Sequence, residues 1–280
     1  MHLVIQGADI ETRDLKELAK LSGAGAIERL SDTAFRLTDA KPAAGIAALC
    51  VGAKLDHGFV PVGRRLADFR LLVMDMDSTL ITMETIDELA DMVNLKAEVA
   101  AITAQAMRGE IEYDESLRRR LALLKGLDES ALQRVYDERL QFSPGAERLL
   151  EKIRAAGIKT LLVSGGFTYI TDRLRARIKL DYTHSNVLEM NNGKLTGSVV
   201  GEIVNASVKH HALLRVAAEL GISRAQIAGV GDGANDLKFL AECGVSVAWR
   251  AKPVVRDQTT YALNHSGLDA ILSLLSAEQG

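Results

Sequence analysis

Cysteine is scarce in this chain: Cys50 and Cys243 are the two present, each set among small apolar neighbours. That pattern reads as buried thiols, excludes a disulfide scaffold, and is consistent with a reducing compartment. Long apolar runs are missing as well, and no stretch reaches the ~18 residues that a membrane helix requires. The opening M-H-L-V-I-Q-G-A-D has neither the basic start nor the long apolar centre of a signal peptide. A cytoplasmic location with no membrane partner is therefore expected. There is no surplus of positive charge: the formal net charge of -3 leaves no electrostatic case for nucleic acid. The six histidines show no metal-ligand spacing, and the adjacent His210 and His211 would fall on different sides of a helix. Repeats and low-complexity tracts are absent. What remains is 280 residues with 48% hydrophobic and 25% charged side chains, an ordinary globular balance. That length suits one large domain or two unequal ones.

The patterning favours two. Within the first ~65 residues, strands are predicted at 3–6, 26–30, 34–37 and 58–62, and helices at 15–21 and 43–51. This βαββαβ order predicts a small ferredoxin-like α+β domain over 1–67. From residue 70 onward apolar strands alternate with helices, which predicts an α/β domain with a parallel sheet over 68–280. Its strands are placed at 71–74, 159–163, 227–230 and 245–248. Between the first two lies an insertion, about 84–142, that reads as helices throughout, near 85, 95–107, 113–124 and 129–140. Thr85 with Glu88 three places on has the form of a capping box, which starts the first of these just after Glu84. Ser143-Pro144-Gly145 marks the return to the sheet. Asn192-Gly193 between two strand-like segments is a hairpin signal.

The chemistry concentrates where those strands end. Residues 71–81 read L-L-V-M-D-M-D-S-T-L-I, an apolar run stopped by Asp75 with Asp77 two places on. Two carboxylates ~4 Å apart at an effective dielectric near 20 repel by about 4 kcal/mol. A divalent cation reverses that sign, and oxygen ligands favour Mg²⁺, which suits phosphate substrates. The strand at 159–163 runs into Ser164-Gly165-Gly166, a hydroxyl followed by exposed backbone N–H groups that could cradle an oxyanion. The strand at 227–230 runs into G-D-G-A-N-D, containing Asp232, Asn235 and Asp236. Its overlap with a dinucleotide-binding fingerprint fails on charge, because Asp232 would sit where a pyrophosphate belongs. Lys209, just before a helical run at 212–220, offers an isolated cation for a phosphate.

The ordered series D-x-D-S-T, S-G-G, lysine and G-D-G-x-N-D resembles the haloacid-dehalogenase-like (HAD) phosphatase superfamily. The resemblance implies a Rossmann-like core, with the 84–142 helices as a cap inserted after the first core strand. It also implies an aspartate nucleophile at Asp75 and a general acid and base at Asp77. Within the superfamily, D-M-D-S-T-L-I-T-M-E-T-I-D-E-L from Asp75, S-L-R-R-R-L-A-L-L-K-G from Ser116 and S-G-G-F from Ser164 are similar to the phosphoserine phosphatase family over nearly all of 70–280. The activity so implied is hydrolysis of O-phosphoserine, the last step of serine biosynthesis, with Mg²⁺ held by Asp75, Asp77 and Asp232. Ser164, Gly165, Lys209 and Asn235 would serve the phosphate, Glu84 the substrate ammonium and Arg120 its carboxylate. The residue pattern supports Arg120 separately: it falls within the apolar stripe Leu117, Leu121 and Leu124, while Arg118 and Arg119 project away. A guanidinium on that side calls for a carboxylate.

Two other readings stay open from sequence. One is a phosphotransferase of the same superfamily with an acceptor such as homoserine. The other is a non-catalytic amino-acid sensor. The N-terminal unit resembles ACT-like domains, although 7–13 lacks the proline often found in their ligand loops; a packing role or a homodimer contact is the expectation there.

Overall fold

The computed structural model describes residues 1–277. β1 (His2–Gln6), α1 (Thr12–Ser22), β2 (Ile27–Ser31), β3 (Ala34–Leu37), α2 (Ile46–Gly52) and β4 (Asp56–Val60) build a four-stranded sheet in the order β2-β3-β1-β4. Its pairings are antiparallel, with Leu3 opposite Leu37 on one side and Phe59 on the other. This is the connectivity expected of a ferredoxin-like module. Leu3 and Ile5 of β1, Leu15 and Leu18 of α1, and Ile46 and Cys50 of α2 share an apolar core. Boundaries differ from expectation, with the first helix starting at Thr12 rather than 15 and two further shifts that have a physical reason. The second helix begins at Ile46 rather than 43, because Gly45 is left-handed at φ 93° and cannot belong to a right-handed helix. The fourth strand lies two residues early, at 56–60, where Asp56 can receive backbone donors.

Farther along come β5 (Leu71–Met74), then α3 (Thr85–Asp91), α4 (Lys96–Met107), α5 (Tyr113–Leu123) and α6 (Ser130–Arg134) of the helical insertion. After Ser143-Pro144-Gly145 follow α7 (Ala146–Ala155), β6 (Lys159–Phe167), α8 (Thr168–Ile178), β7 (Tyr182–Asn191), β8 (Lys194–Val200) and α9 (Ala206–Leu220). The chain then runs through β9 (Ile227–Gly231), α10 (Leu237–Leu240), β10 (Val245–Trp249), α11 (Pro253–Arg256), β11 (Tyr261–Leu263) and α12 (Ile271–Leu275). Strands β5 to β11 belong to a second sheet. β6 pairs parallel with β7, and β10 parallel with both β9 and β11. β8 runs antiparallel to β7 across the expected Asn192-Gly193 turn, whose residues take φ 50° and 72°. β11 was not expected, since three residues carry no periodicity. The helix expected from 212 starts six residues earlier, so Lys209 lies inside it.

Internal contacts gather the chain into two units. One holds 1–72, 144–159 and, among the described residues, 221–277. There the Asp56 carboxylate accepts the backbone N–H groups of Asn264, His265 and Ser266 at 2.7, 3.0 and 2.8 Å. A side chain on Gly58 would strike Tyr261 and Leu274, so β4 and α12 meet at their closest where glycine permits it. The other unit holds 73–143 and 160–220. In it α5 packs on α3, α4 and β8, burying Leu117, Leu121 and Leu124.

Among the described residues, no helix is long and apolar enough to cross a membrane. Cys50 and Cys243 are both buried thiols, as expected.

Candidate active site

β5 is buried along its whole length, and the burial continues past the end of its apolar run through Asp75 and Met76. Asp75 follows with its Oδ1 accepting the Met76 N–H at 2.7 Å. The same Oδ1 lies 2.8 Å from the Lys209 Nζ. Lys209 is 0% exposed, so its ammonium exists in the interior only because a carboxylate is there to meet it. α9 holds it in place: Asn205 Oδ1 accepts the N–H groups of Ser207 and Val208, fixing the first turn.

Past Asp75 the chain makes a wide turn over Met76–Leu80, in which Ser78 is left-handed at φ 55°. Ser78 Oγ donates to Glu84 Oε1 at 2.6 Å, and Thr85 Oγ1 donates to Asp77 Oδ1 at 2.7 Å. The expected capping box is therefore not formed. Glu84 is the N-cap of α3 without a side-chain cap bond, because the Thr85 hydroxyl is spent on Asp77. Loss of water around Asp77, reinforced by the Glu84 charge, pushes its carboxyl up to about 8. Glu84 presents an exposed flank, yet shielding of its carboxyl raises that group too, against the Ser78 hydrogen bond and the Arg120 charge. Arg120 is 9% exposed on the apolar side of α5, whereas Arg118 and Arg119 face solvent. Its Nε–H reaches the Ser116 carbonyl at 3.3 Å.

Ser164 and the two glycines after it interrupt the β6–β7 ladder, whose register shifts between Val163 and Phe167. Such bulges re-aim groups at sheet ends. Ser164 Oγ accepts the Gly166 N–H at 2.8 Å, and Asn186 Nδ2 donates to the Gly165 carbonyl at 2.8 Å. A side chain on Gly165 would collide with the Tyr113 hydroxyl. Shielding raises that phenol to about 12, so Tyr113 is a neutral donor.

On the turn after β9, Asp236 is buried and its Oδ2 accepts the N–H groups of Asp232 and Gly233 at 3.2 and 3.1 Å. The Asn235 side chain folds back over Gly233. Asp232 and Asp236 thus bring two carboxylates together on this turn, oxygen donors of the kind a metal ion takes.

Asp75, Asp77, Glu84, Ser164, Gly165 and Lys209, each predicted from sequence, are thus tied by direct bonds, shared neighbours or mutual charge. Arg120 acts on Glu84 through its field, and Asp232 and Asn235 share one turn. Tyr113, Thr85 and Asn186 were not among the predicted residues. An aromatic opening a helix and a lone Asn within a strand carry no spacing that could have revealed them.

The chain matches the haloacid dehalogenase-like hydrolase family over residues 72–241, and residues 3–46 match a domain family of unknown function. A phosphoserine phosphatase of Polaromonas sp. is 52% identical over 216 residues, covering 75% of this chain and 92% of that one. Among solved structures, a HAD family hydrolase from Salmonella enterica serovar Typhi superposes with a TM-score of 0.89 at 32% identity, over 99% of this chain and 98% of that one. A probable phosphoserine phosphatase from Vibrio cholerae, in unliganded form, gives 0.86 at 34% identity, over 99% of this chain and 86% of that one.

Proposed function

The chain belongs to the haloacid dehalogenase-like hydrolases, and from that premise we propose that it is a phosphoserine phosphatase, an enzyme hydrolysing O-phosphoserine to serine and phosphate. The observation that carries this reading is the buried Lys209–Asp75 pair at 2.8 Å, set beside a second carboxyl, Asp77, that holds a proton near neutral pH.

Asp75 is the nucleophile. One of its oxygens forms a bond to phosphorus as the bond from phosphorus to the serine oxygen breaks, leaving an aspartyl-phosphate. Asp77 gives its proton to the departing alkoxide, then takes one from the water whose oxygen bonds to phosphorus as the Asp75 oxygen–phosphorus bond breaks, which frees phosphate and the Asp75 carboxylate. Lys209, the Ser164 hydroxyl and the Gly165 N–H hold phosphoryl oxygens, and Asn235 and Asp236 orient Lys209 or the metal shell. Glu84 takes the substrate ammonium and Arg120 its carboxylate, each charge matched to one of opposite sign.

The proposed donors are two carboxylates and one carbonyl, oxygen throughout, which fits a hard divalent cation. Asp75, Asp232 and the Asp77 carbonyl would hold Mg²⁺, which when bound neutralises phosphate charge and lets a carboxylate approach it.

The domain reading extends the proposal: an ACT-like domain over 1–67, and a phosphatase domain over 68–280 with its cap near 84–142. A homodimer and a cytoplasmic location complete it, the first checked by light scattering and the second by cell fractionation.

The deciding experiment is phosphate release from O-phosphoserine, homologous phosphoamino acids and sugar phosphates. Chelation by EDTA should abolish turnover and added Mg²⁺ restore it. A preference for O-phosphoserine of about tenfold or more is expected. Equal turnover across the panel, or phosphate passed to homoserine without release, overturns the reading.

A further inference from the structure

Gly165 has a φ outside the left-handed region, so its backbone conformation alone does not call for glycine. What does is Tyr113. A side chain at 165 would collide with the Tyr113 hydroxyl, while the nearest group of any other residue, the Val204 carbonyl, stands at an ordinary 3.7 Å. The next glycine lies beside a second functional group, since a side chain on Gly166 would come within 3.1 Å of Asp77 Oδ2. The two glycines thus leave room for the Tyr113 hydroxyl at one and for the Asp77 carboxyl at the other.

Tyr113 opens α5, and Arg120 follows two helical turns later, which puts both on one face of that helix. The Tyr113 side chain is half-buried. Among the described residues its hydroxyl makes no hydrogen bond, and it is not one of the polar atoms sealed from solvent. The charges that act on it are those of Lys209, Arg120, Asp75 and Asp77, and burial keeps the proton on the phenol. It is therefore a donor in want of an acceptor. Its neighbours say which acceptor fits: the Gly165 N–H and Lys209 are the groups that take phosphoryl oxygens. A phosphoryl group offers three strong acceptor oxygens, so a further donor there is not redundant.

We propose that the Tyr113 hydroxyl donates a hydrogen bond to a phosphoryl oxygen of the substrate, so that α5 holds both ends of it, the phosphoryl group through Tyr113 and the carboxylate through Arg120. The inference rests on the phosphatase reading above and adds to it a residue that none of the sequence motifs contains.

The test is Tyr113→Phe in the full chain, which keeps the ring and removes only the hydroxyl. Wild type and variant are titrated calorimetrically with inorganic phosphate and, separately, with serine, each with Mg²⁺ present. Phosphate should bind about tenfold more weakly to the variant, the worth of one hydrogen bond to a charged oxygen, while serine, which has no phosphoryl group, should change by less than about twofold. In the steady state kcat/KM for O-phosphoserine should fall by about tenfold as well. Unchanged phosphate affinity overturns the proposal. So does an equal loss for phosphate and serine, which would leave the hydroxyl a packing role, and so does a wild type with no saturable phosphate heat up to about 10 mM. The titrations need no turnover. A wild type that binds phosphate but leaves O-phosphoserine intact therefore fails the phosphatase reading alone, and the phosphate comparison still decides the role of Tyr113.

Discussion

Asp56, at the start of β4, is 2% exposed and accepts three backbone N–H groups at 2.7–3.0 Å. Asp77, three residues past the end of β5, receives one hydroxyl from Thr85 and has the Glu84 carboxylate for a neighbour. The two carboxylates come from similar surroundings in sequence terms, each beside a short strand. Their environments are opposite. Every lone-pair direction that matters on Asp56 is met by the protein, so that charge ties β4 to the 264–266 segment and is unavailable for anything else. Asp77 is left short of donors and close to like charge, which keeps a proton on it where an ordinary aspartate has none. The N-terminal module follows the first pattern: its core is Leu, Ile, Ala and Cys side chains, and its buried charges Asp14, Arg36 and Asp56 each meet a partner within the protein. The region after β5 follows the second, with Asp75, Lys209 and Arg120 buried as charges. Buried charges beside a carboxyl that keeps its proton are what a site handling a charged substrate requires, which is the role proposed for them.

The contrast breaks most severely at Asp75. Asp75→Asn removes the nucleophile and should lower phosphate release from O-phosphoserine by about 10⁴-fold or more, read by a steady-state assay. The fold should persist, although Lys209 loses its counter-charge and the melting point should drop. Turnover within tenfold of wild type would mean that another group attacks. Arg120→Ala comes next. Losing a buried guanidinium that reads a carboxylate should reduce kcat/KM for O-phosphoserine by about 10²–10³-fold, or about 3–4 kcal/mol. An aryl phosphate lacks that carboxylate and should change by less than about threefold. Equal losses on both substrates would reassign Arg120 to packing. Asp56→Ala tests the other half of the comparison. It strands three backbone donors and should cost about 3 kcal/mol, seen as a melting point lower by about 6 °C or more. Turnover per folded molecule should stay within about twofold.

Legibility in the sequence divides along the same line. Asp75 stood out because an apolar run ending in a charge has few structural explanations, and Arg120 because it interrupts an apolar stripe at helical spacing. Each is a local conflict between residue type and position, and such conflicts mark sites. The ferredoxin-like connectivity was legible from alternation alone. Asp56 was not, since its donors arrive from more than 200 residues away, and nothing near it in sequence announces them. Tyr113 and Asn186 escaped for the converse reason: each fits its element without conflict. The Thr85–Glu88 spacing was read as a helix cap, and the hydroxyl instead serves Asp77. A capping signature states what a side chain can do locally, while a buried carboxylate nearby can outcompete the backbone for it.

That competition yields the smallest predicted effect and the finest probe of the comparison. Thr85 is fully buried, and its hydroxyl donates to Asp77 at 2.7 Å beside a second bond from the Thr85 backbone. Thr85→Val keeps the volume and the branched shape but removes the donor, making Asp77 still less like Asp56. The proton on Asp77 is then held more tightly and its carboxyl keeps only the Thr85 backbone bond, so both of its transfers should slow. A fall in kcat of about tenfold is expected with KM changed by less than about twofold, because no substrate contact is lost. Thr85→Ser restores the donor and should recover most of the rate. If valine leaves kcat unchanged, or serine fails to rescue it, then the hydroxyl only fills space at the start of α3, and Asp77 is oriented by the Thr85 backbone bond and the turn over Met76–Leu80.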